Sequence, residues 1–212
     1  MIKKKWALIP VLFLTLFISA CSDDKDGQSF TEDYNIKVKT LEAVNEDGEK
    51  VSTDDYKGKL WIANFIFTSC PDVCPVLTTN MGDLQRMLKE EGLDVQLVSF
   101  SVDPDVDTPE RMKQYIEAWG GDLDNWDGLT GYSQEEIEEF ALESFKVLAA
   151  KQNGTVVHQN YFHLVSPEGK FIKLYKGIDD AQFEHVRNGD YDSIEENETM
   201  KQIVEDVKAY LK

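Results

Sequence analysis

The chain is 212 residues long and has little of three things: cysteine, histidine and positive charge. It holds three cysteines and three histidines, and its 22 Lys and Arg face 40 Asp and Glu, for a net charge of −18. Three of the basic residues, Lys3, Lys4 and Lys5, stand together at the N-terminus, and no run of three follows them. A surface this acidic repels phosphate backbones, which argues against nucleic acid as a partner. Its simplest consequence is a solvated, soluble exterior. Internal repeats and low-complexity blocks are also missing. Once a leader is set aside, the length suits one ordinary domain rather than a two-domain enzyme.

What is present begins with that leader. Met-Ile-Lys-Lys-Lys precedes the apolar run Trp6–Ala20, then Cys21 and the polar stretch Ser22-Asp23-Asp24-Lys25-Asp26. A charged start, a short apolar stretch and small residues before the break make an export signal over residues 1–20. The run contains Pro10 and is shorter than the about 20 residues a membrane span takes. Ile18-Ser19-Ala20-Cys21 resembles a bacterial lipobox, which implies that Cys21 is diacylated and becomes the mature N-terminus. Two acyl chains hold a protein stably on a membrane. The acidic segment 21–33 reads as a flexible tether, with the folded domain over 34–212.

From Tyr34 the apolar alternation and the turn Asn45-Glu46-Asp47-Gly48 predict a strand and hairpin. Leu60–Phe67 is a nearly continuous run of β-formers, as in a strand buried on both faces of a parallel sheet. A helix follows, with Pro75 in its first turn and Leu77, Met81, Leu84 and Leu88 at helical spacing until Gly92. Val95–Val102 is a second strand ended by Asp103-Pro104. Thr108 caps a helix reaching Trp119, Trp126–Thr130 is a short strand, and Ser133-Gln134-Glu135-Glu136 is a capping box before a helix through Ala150. Strands at Tyr161–Val165 and Phe171–Tyr175 and a final helix with Ile203, Val207 and Leu211 close the chain. The order predicts an α/β, thioredoxin-like fold with an N-terminal β-hairpin and an insertion around Trp119–Ser133.

Setting Cys21 aside leaves Cys70 and Cys74 where the first buried strand meets a helix. Unpaired N–H groups and the helix dipole stabilise thiolates at such a helix start, and such sulfurs bind soft metals or exchange disulfides. The pair is spaced Cys-x-x-x-Cys, one residue wider than the usual thioredoxin motif. A structural disulfide is permitted in an exported protein, but closing so small a ring removes little chain entropy. Structural zinc is normally closed by four ligands, and no second Cys-x-x-Cys exists. Among the histidines, His185 lies in an acidic surface segment and His163 inside a strand. His158 stands just before that strand, in the loop that faces the cysteines in a thioredoxin-like fold, where reductases carry a proline that this chain lacks. Two thiolates and one imidazole suit copper as Cu(I) or Cu(II). Asp103 reads either as a strand-end cap or as a charge near that site.

With these residues in view, the sequence resembles the Sco (SenC) copper proteins from about Val38 to Leu211. Phe67-Thr68-Ser69-Cys70-Pro71-Asp72-Val73-Cys74-Pro75, Ser99-Phe100-Ser101-Val102-Asp103-Pro104, Trp126-Asp127-Gly128-Leu129-Thr130-Gly131 and Phe162–Gly169 match its segments, and His158 its distant ligand. Gly128 departs from the bulkier residue of many members. The resemblance implies a copper metallochaperone holding one ion through Cys70, Cys74 and His158. Its expected partner is the copper-bearing subunit of cytochrome c oxidase, and its expected place the outer face of a bacterial cytoplasmic membrane, anchored as a monomer through Cys21. The same sulfurs, Cys70 and Cys74, could instead be redox-active toward the oxidase cysteines, or serve a redox or copper sensor.

Overall fold

Trp61–Ile66 is buried at every position, and because strand side chains alternate sides, both faces of this strand need a cover. The computed structural model, which describes residues 31–152, 155–157, 159–195 and 197–212, supplies both covers. Its elements are β1 (Ile36–Lys37), the hairpin β2 (Glu42–Val44) and β3 (Lys50–Ser52), a 3-10 turn (Thr53–Tyr56), β4 (Trp61–Ile66) and α1 (Val73–Glu90). There follow β5 (Gln96–Ser101), α2 (Pro109–Ala118), β6 (Trp126–Leu129), α3 (Gln134–Phe145) and the hairpin β7 (Ala150–Gln152) and β8 (Thr155–Val157). The chain ends with β9 (Tyr161–Val165), β10 (Lys170–Lys176), α4 (Asp180–Asn188), a second 3-10 turn (Tyr191–Ser193) and α5 (Glu198–Tyr210).

Six strands form one sheet in the order β1-β10-β9-β4-β5-β6. β4 pairs in parallel with β5, and β5 with β6, while β9 and β10 run antiparallel. The four strands β10-β9-β4-β5, with α1 and α3 in their connections and α5 as the closing helix, are the thioredoxin-like core. α2 and β6 are the inserted unit and extend the sheet past β5. One core lies under α1, α2 and α5, where Ile62, Ile66, Leu77, Met81 and Ile203 pack. The other lies under α3 and the N-terminal hairpin, where Trp61, Phe65, Phe100, Phe140 and Phe145 pack. Each large apolar side chain buried this way contributes about 1.5–3 kcal/mol.

The structure corrects two expectations. α3 stops at Phe145, because Lys146 turns left-handed at φ 59° and Val147, Ala149 and Ala150 continue as extended, buried chain. The hairpin β7–β8 and helix α4 are additions that periodicity did not disclose. At the border drawn between tether and domain, Asp33 donates its backbone N–H to Ile172 O at 2.9 Å. Gly128 has a local cause: a Cβ on it would stand 2.8 Å from Ile116 Cδ1 and 3.2 Å from Met112 Cβ, so glycine lets α2 lie close on β6.

Candidate metal centre

β4 delivers the cysteine loop at its C-terminal end, where parallel strands of open sheets present their sites. Cys70 N–H donates to Phe67 O at 3.2 Å, closing a turn that leads into α1. Asp72, at the helix cap, makes no side-chain cap bond. Instead the Cys74 N–H, in the first turn, points at Cys70 Sγ 3.5 Å away. The sulfur of Cys70 thus occupies the place of a capping oxygen, at the positive end of the helix dipole. No disulfide joins Cys70 to Cys74. Cys74 is fully buried and Cys70 is 9% exposed. Burial first, then the neighbouring Cys70, pushes the Cys74 thiol far up, so its proton stays on until a metal or a disulfide replaces it.

The loop is held from below by one carboxylate. Asp107, buried in the turn between β5 and α2, accepts from the Thr68 N–H at 3.2 Å, Thr68 Oγ1 at 2.5 Å and Ser101 Oγ at 2.6 Å. Burial raises its pKa and these hydrogen bonds oppose the rise. Arg111 Nε adds a bond to Thr68 Oγ1 at 3.2 Å. Sequence reasoning missed Asp107, since nothing in the spacing after Asp103-Pro104 says which carboxylate turns inward.

Over the cysteines lies a cleft of about 580 Å³ bordered by Cys70, Asp103, Val156, Val157, Asn160 and Phe183. The backbone carbonyl of Asp103 accepts from Val106 and Asp107, ending the strand, and its carboxylate, facing the cleft, accepts from Lys151 Nζ at 2.6 Å. Lys151 belongs to β7, so this ion pair ties the β7–β8 hairpin to the turn beside Cys70. His158 lies outside the described residues, as does Cys21; Val157, one position before His158, and Asn160, two positions after it, border the cleft. Among the described residues no three His, Cys, Asp or Glu side chains gather as a metal set.

The other two histidines are far from this role. His163 is fully buried on the opposite face of the sheet among Phe65, Phe145 and Phe171, with Nδ1 3.3 Å from Ala63 O. Burial drives its pKa down to about 4. His185 sits on α4 at the surface, 3.3 Å from Asp190.

The family described as SCO1/SenC matches residues 31–186. This chain belongs to the SCO1/SenC family. It is similar to a SCO1/SenC family lipoprotein from Bacillus anthracis, with 42% identity, a TM-score of 0.73, and 84% of this chain and 96% of that one covered. It is similar to BsSco, described as a member of the Sco family of cytochrome c oxidase assembly proteins with a disulfide switch, at 43% identity and a TM-score of 0.71, over 86% and 97% of the two chains. ScoI from Arabidopsis thaliana, solved with copper bound, is 28% identical with a TM-score of 0.61, over 81% and 98%. The thioredoxin-like fold is that of these Sco structures.

Proposed function

We propose that this SCO1/SenC protein is a copper metallochaperone that carries one ion on Cys70, Cys74 and His158 and assists assembly of the copper site of cytochrome c oxidase. The observation that carries the reading is the placement of Cys70 Sγ against the Cys74 N–H, under a cleft bordered by the residues on both sides of His158. A soft metal takes both sulfurs as thiolates, displacing the proton that burial keeps on Cys74, and a neutral imidazole completes a three-ligand set with room for an accepting group. The Arabidopsis relative with copper bound and the oxidase assembly role in the BsSco description support it. The lipobox at Cys21 and the Bacillus anthracis lipoprotein support a lipid anchor on the outer face of the cytoplasmic membrane. Among the described residues no helix is long and apolar enough to cross a membrane.

The test is titration of the reduced soluble domain with Cu(I) and Cu(II), in parallel with His158→Ala. The expected result is one ion per chain, with Cu(II) held at least about tenfold more weakly by the variant, roughly 1.4 kcal/mol. Equal Cu(II) binding by the two proteins counts against His158 as ligand.

A second reading has its own observation. One cysteine borders the cleft while the other is sealed beneath it as a thiol, the arrangement of an attacking and a resolving sulfur. Such a pair can reduce the disulfide of an acceptor before metal is delivered, and the disulfide switch of BsSco supports it. Normal oxidase activity in a His158→Ala strain under copper limitation, with loss in Cys70→Ser, favours this reading over the chaperone.

A further inference from the structure

The exposed apolar side chains of the described surface are concentrated. Of the eight large ones, Trp119, Val157, Phe183 and Tyr191 border the two cavities that meet at Cys70, while Tyr34, Leu142, Leu148 and Leu211 lie elsewhere. The first cavity is the cleft described above. The second is a groove of about 720 Å³ running from Cys70 and Pro71 along the outer side of α1. Trp119, 40% exposed, forms one wall, Tyr191, 43% exposed, and Ile194 form the other, and Val76 lies on its floor. Aromatic side chains half open to water beside a reactive group are the residues that anchor protein contacts.

A buried polar network fixes the walls. Asn80 Nδ2 on α1 donates to Gly177 O at 2.7 Å and to Gln182 Oε1 at 2.8 Å, and Gln182 Nε2 donates to Glu195 O at 2.9 Å. Asn197 Nδ2 adds a bond to Gln182 Oε1 at 3.1 Å. The segment carrying Tyr191 and Ile194 is therefore pinned to α1, and an occupant meets a preformed groove.

The charge around the groove selects among occupants. Arg86 on its lining is engaged by Asp83 at 3.0 Å and Glu90 at 3.7 Å. Glu195 is exposed on the rim, and Asp192 stands in the adjoining turn. A second copy of this chain would bring its own net charge of −18 against that rim. A basic segment is favoured instead.

We propose that the groove docks a cysteine-bearing segment of the protein that exchanges with Cys70, one with apolar side chains beside its cysteine and lysine or arginine beyond them. This rests on the reading that Cys70 exchanges with a partner. In the reductive form of that exchange, the Cys70 thiolate attacks one sulfur of the partner's disulfide. A new S–S bond forms as the old one breaks, and the departing sulfur takes a proton from water. Cys74 then attacks Cys70, forming the Cys70–Cys74 disulfide as the mixed disulfide breaks, and the proton it gives up goes to the partner's released sulfur. Two electrons pass from the protein dithiol to the partner's disulfide.

The experiment compares wild type, Trp119→Asp and Tyr191→Asp in the reduced soluble domain. The probes are a short peptide with a central cysteine flanked by leucine, phenylalanine and two lysines, presented as its symmetric disulfide, and oxidised glutathione. A control peptide carries serine in place of the apolar flanks. Wild type is expected to prefer the apolar, basic peptide to the serine peptide by about tenfold, and both variants to lose that preference while keeping the glutathione rate and the copper titration. Equal peptide rates in wild type, or an undiminished preference in both variants, overturns the proposal. So does self-association of wild type that either variant abolishes with peptide rates unchanged, which would give the groove to a second copy. Absence of copper binding in wild type with the peptide preference intact overturns the metal reading and supports the groove.

Discussion

Lys151 Nζ lies 2.6 Å from Asp103 Oδ1 and 3.6 Å from Asp105 Oδ2. These contacts join the hairpin that leads into His158 to the turn that follows β5. The Lys151 backbone N–H is held as well, by Glu138 Oε1 of α3 at 3.0 Å. Side chain and backbone of one residue therefore set where the hairpin stands over the cysteines.

Loss of that ammonium should loosen the hairpin without unfolding the domain. Lys151→Met is expected to be cut faster than wild type by a protease within residues 150–160, and to hold Cu(II) less tightly, with the copper affinity recovered in Lys151→Arg. Unchanged cleavage and affinity in Lys151→Met would remove the hairpin tie from the account of the site.

The two sulfurs should differ in reactivity. Cys70 borders the cleft, while Cys74 is fully buried with its thiol pushed up by burial. Alkylation of the reduced domain with iodoacetamide at neutral pH is expected to modify Cys70 at least about tenfold faster than Cys74, as read by peptide mass spectrometry. Copper or prior oxidation to the disulfide should protect both. Equal labelling of the two would mean that the first turn of α1 opens readily.

His163 gives the domain a defined response to acid. Its pKa is about 4 in the fold against an ordinary value of 6.5, so below pH 6.5 the unfolded chain binds a proton that the fold refuses. The stability from the neutral ring is whole above pH 6.5 and is lost progressively as pH falls toward 4, by about 3 kcal/mol in all. His163→Leu should flatten urea-unfolding stability over this window relative to wild type. A variant whose pH slope matches wild type between pH 4 and 6.5 would assign the acid response to other groups.

The sequence by itself determined the sheet and the cysteine pair. Trp61–Ile66 is buried on both faces, which leaves a nearly unbroken apolar run, Gln96–Ser101 beside it is buried from Leu97 onward, and Thr108 and Ser133 cap their helices with the side-chain bonds their types predict. These are local rules of period and capping, legible because each acts within a few residues. The early end of α3 and the hairpin β7–β8 were decided by contacts across the fold, with Val147 and Ala149 buried beyond a left-handed Lys146. Asp107 under Thr68, and Lys151 against Asp103, lie 39 and 48 positions apart in sequence. Asn80 and Gln182 lie 102 apart. No local pattern announces such pairs. A buried carboxylate or amide takes its partner from whatever donor the packed chain brings within about 3 Å, and only the tertiary structure fixes which donor that is.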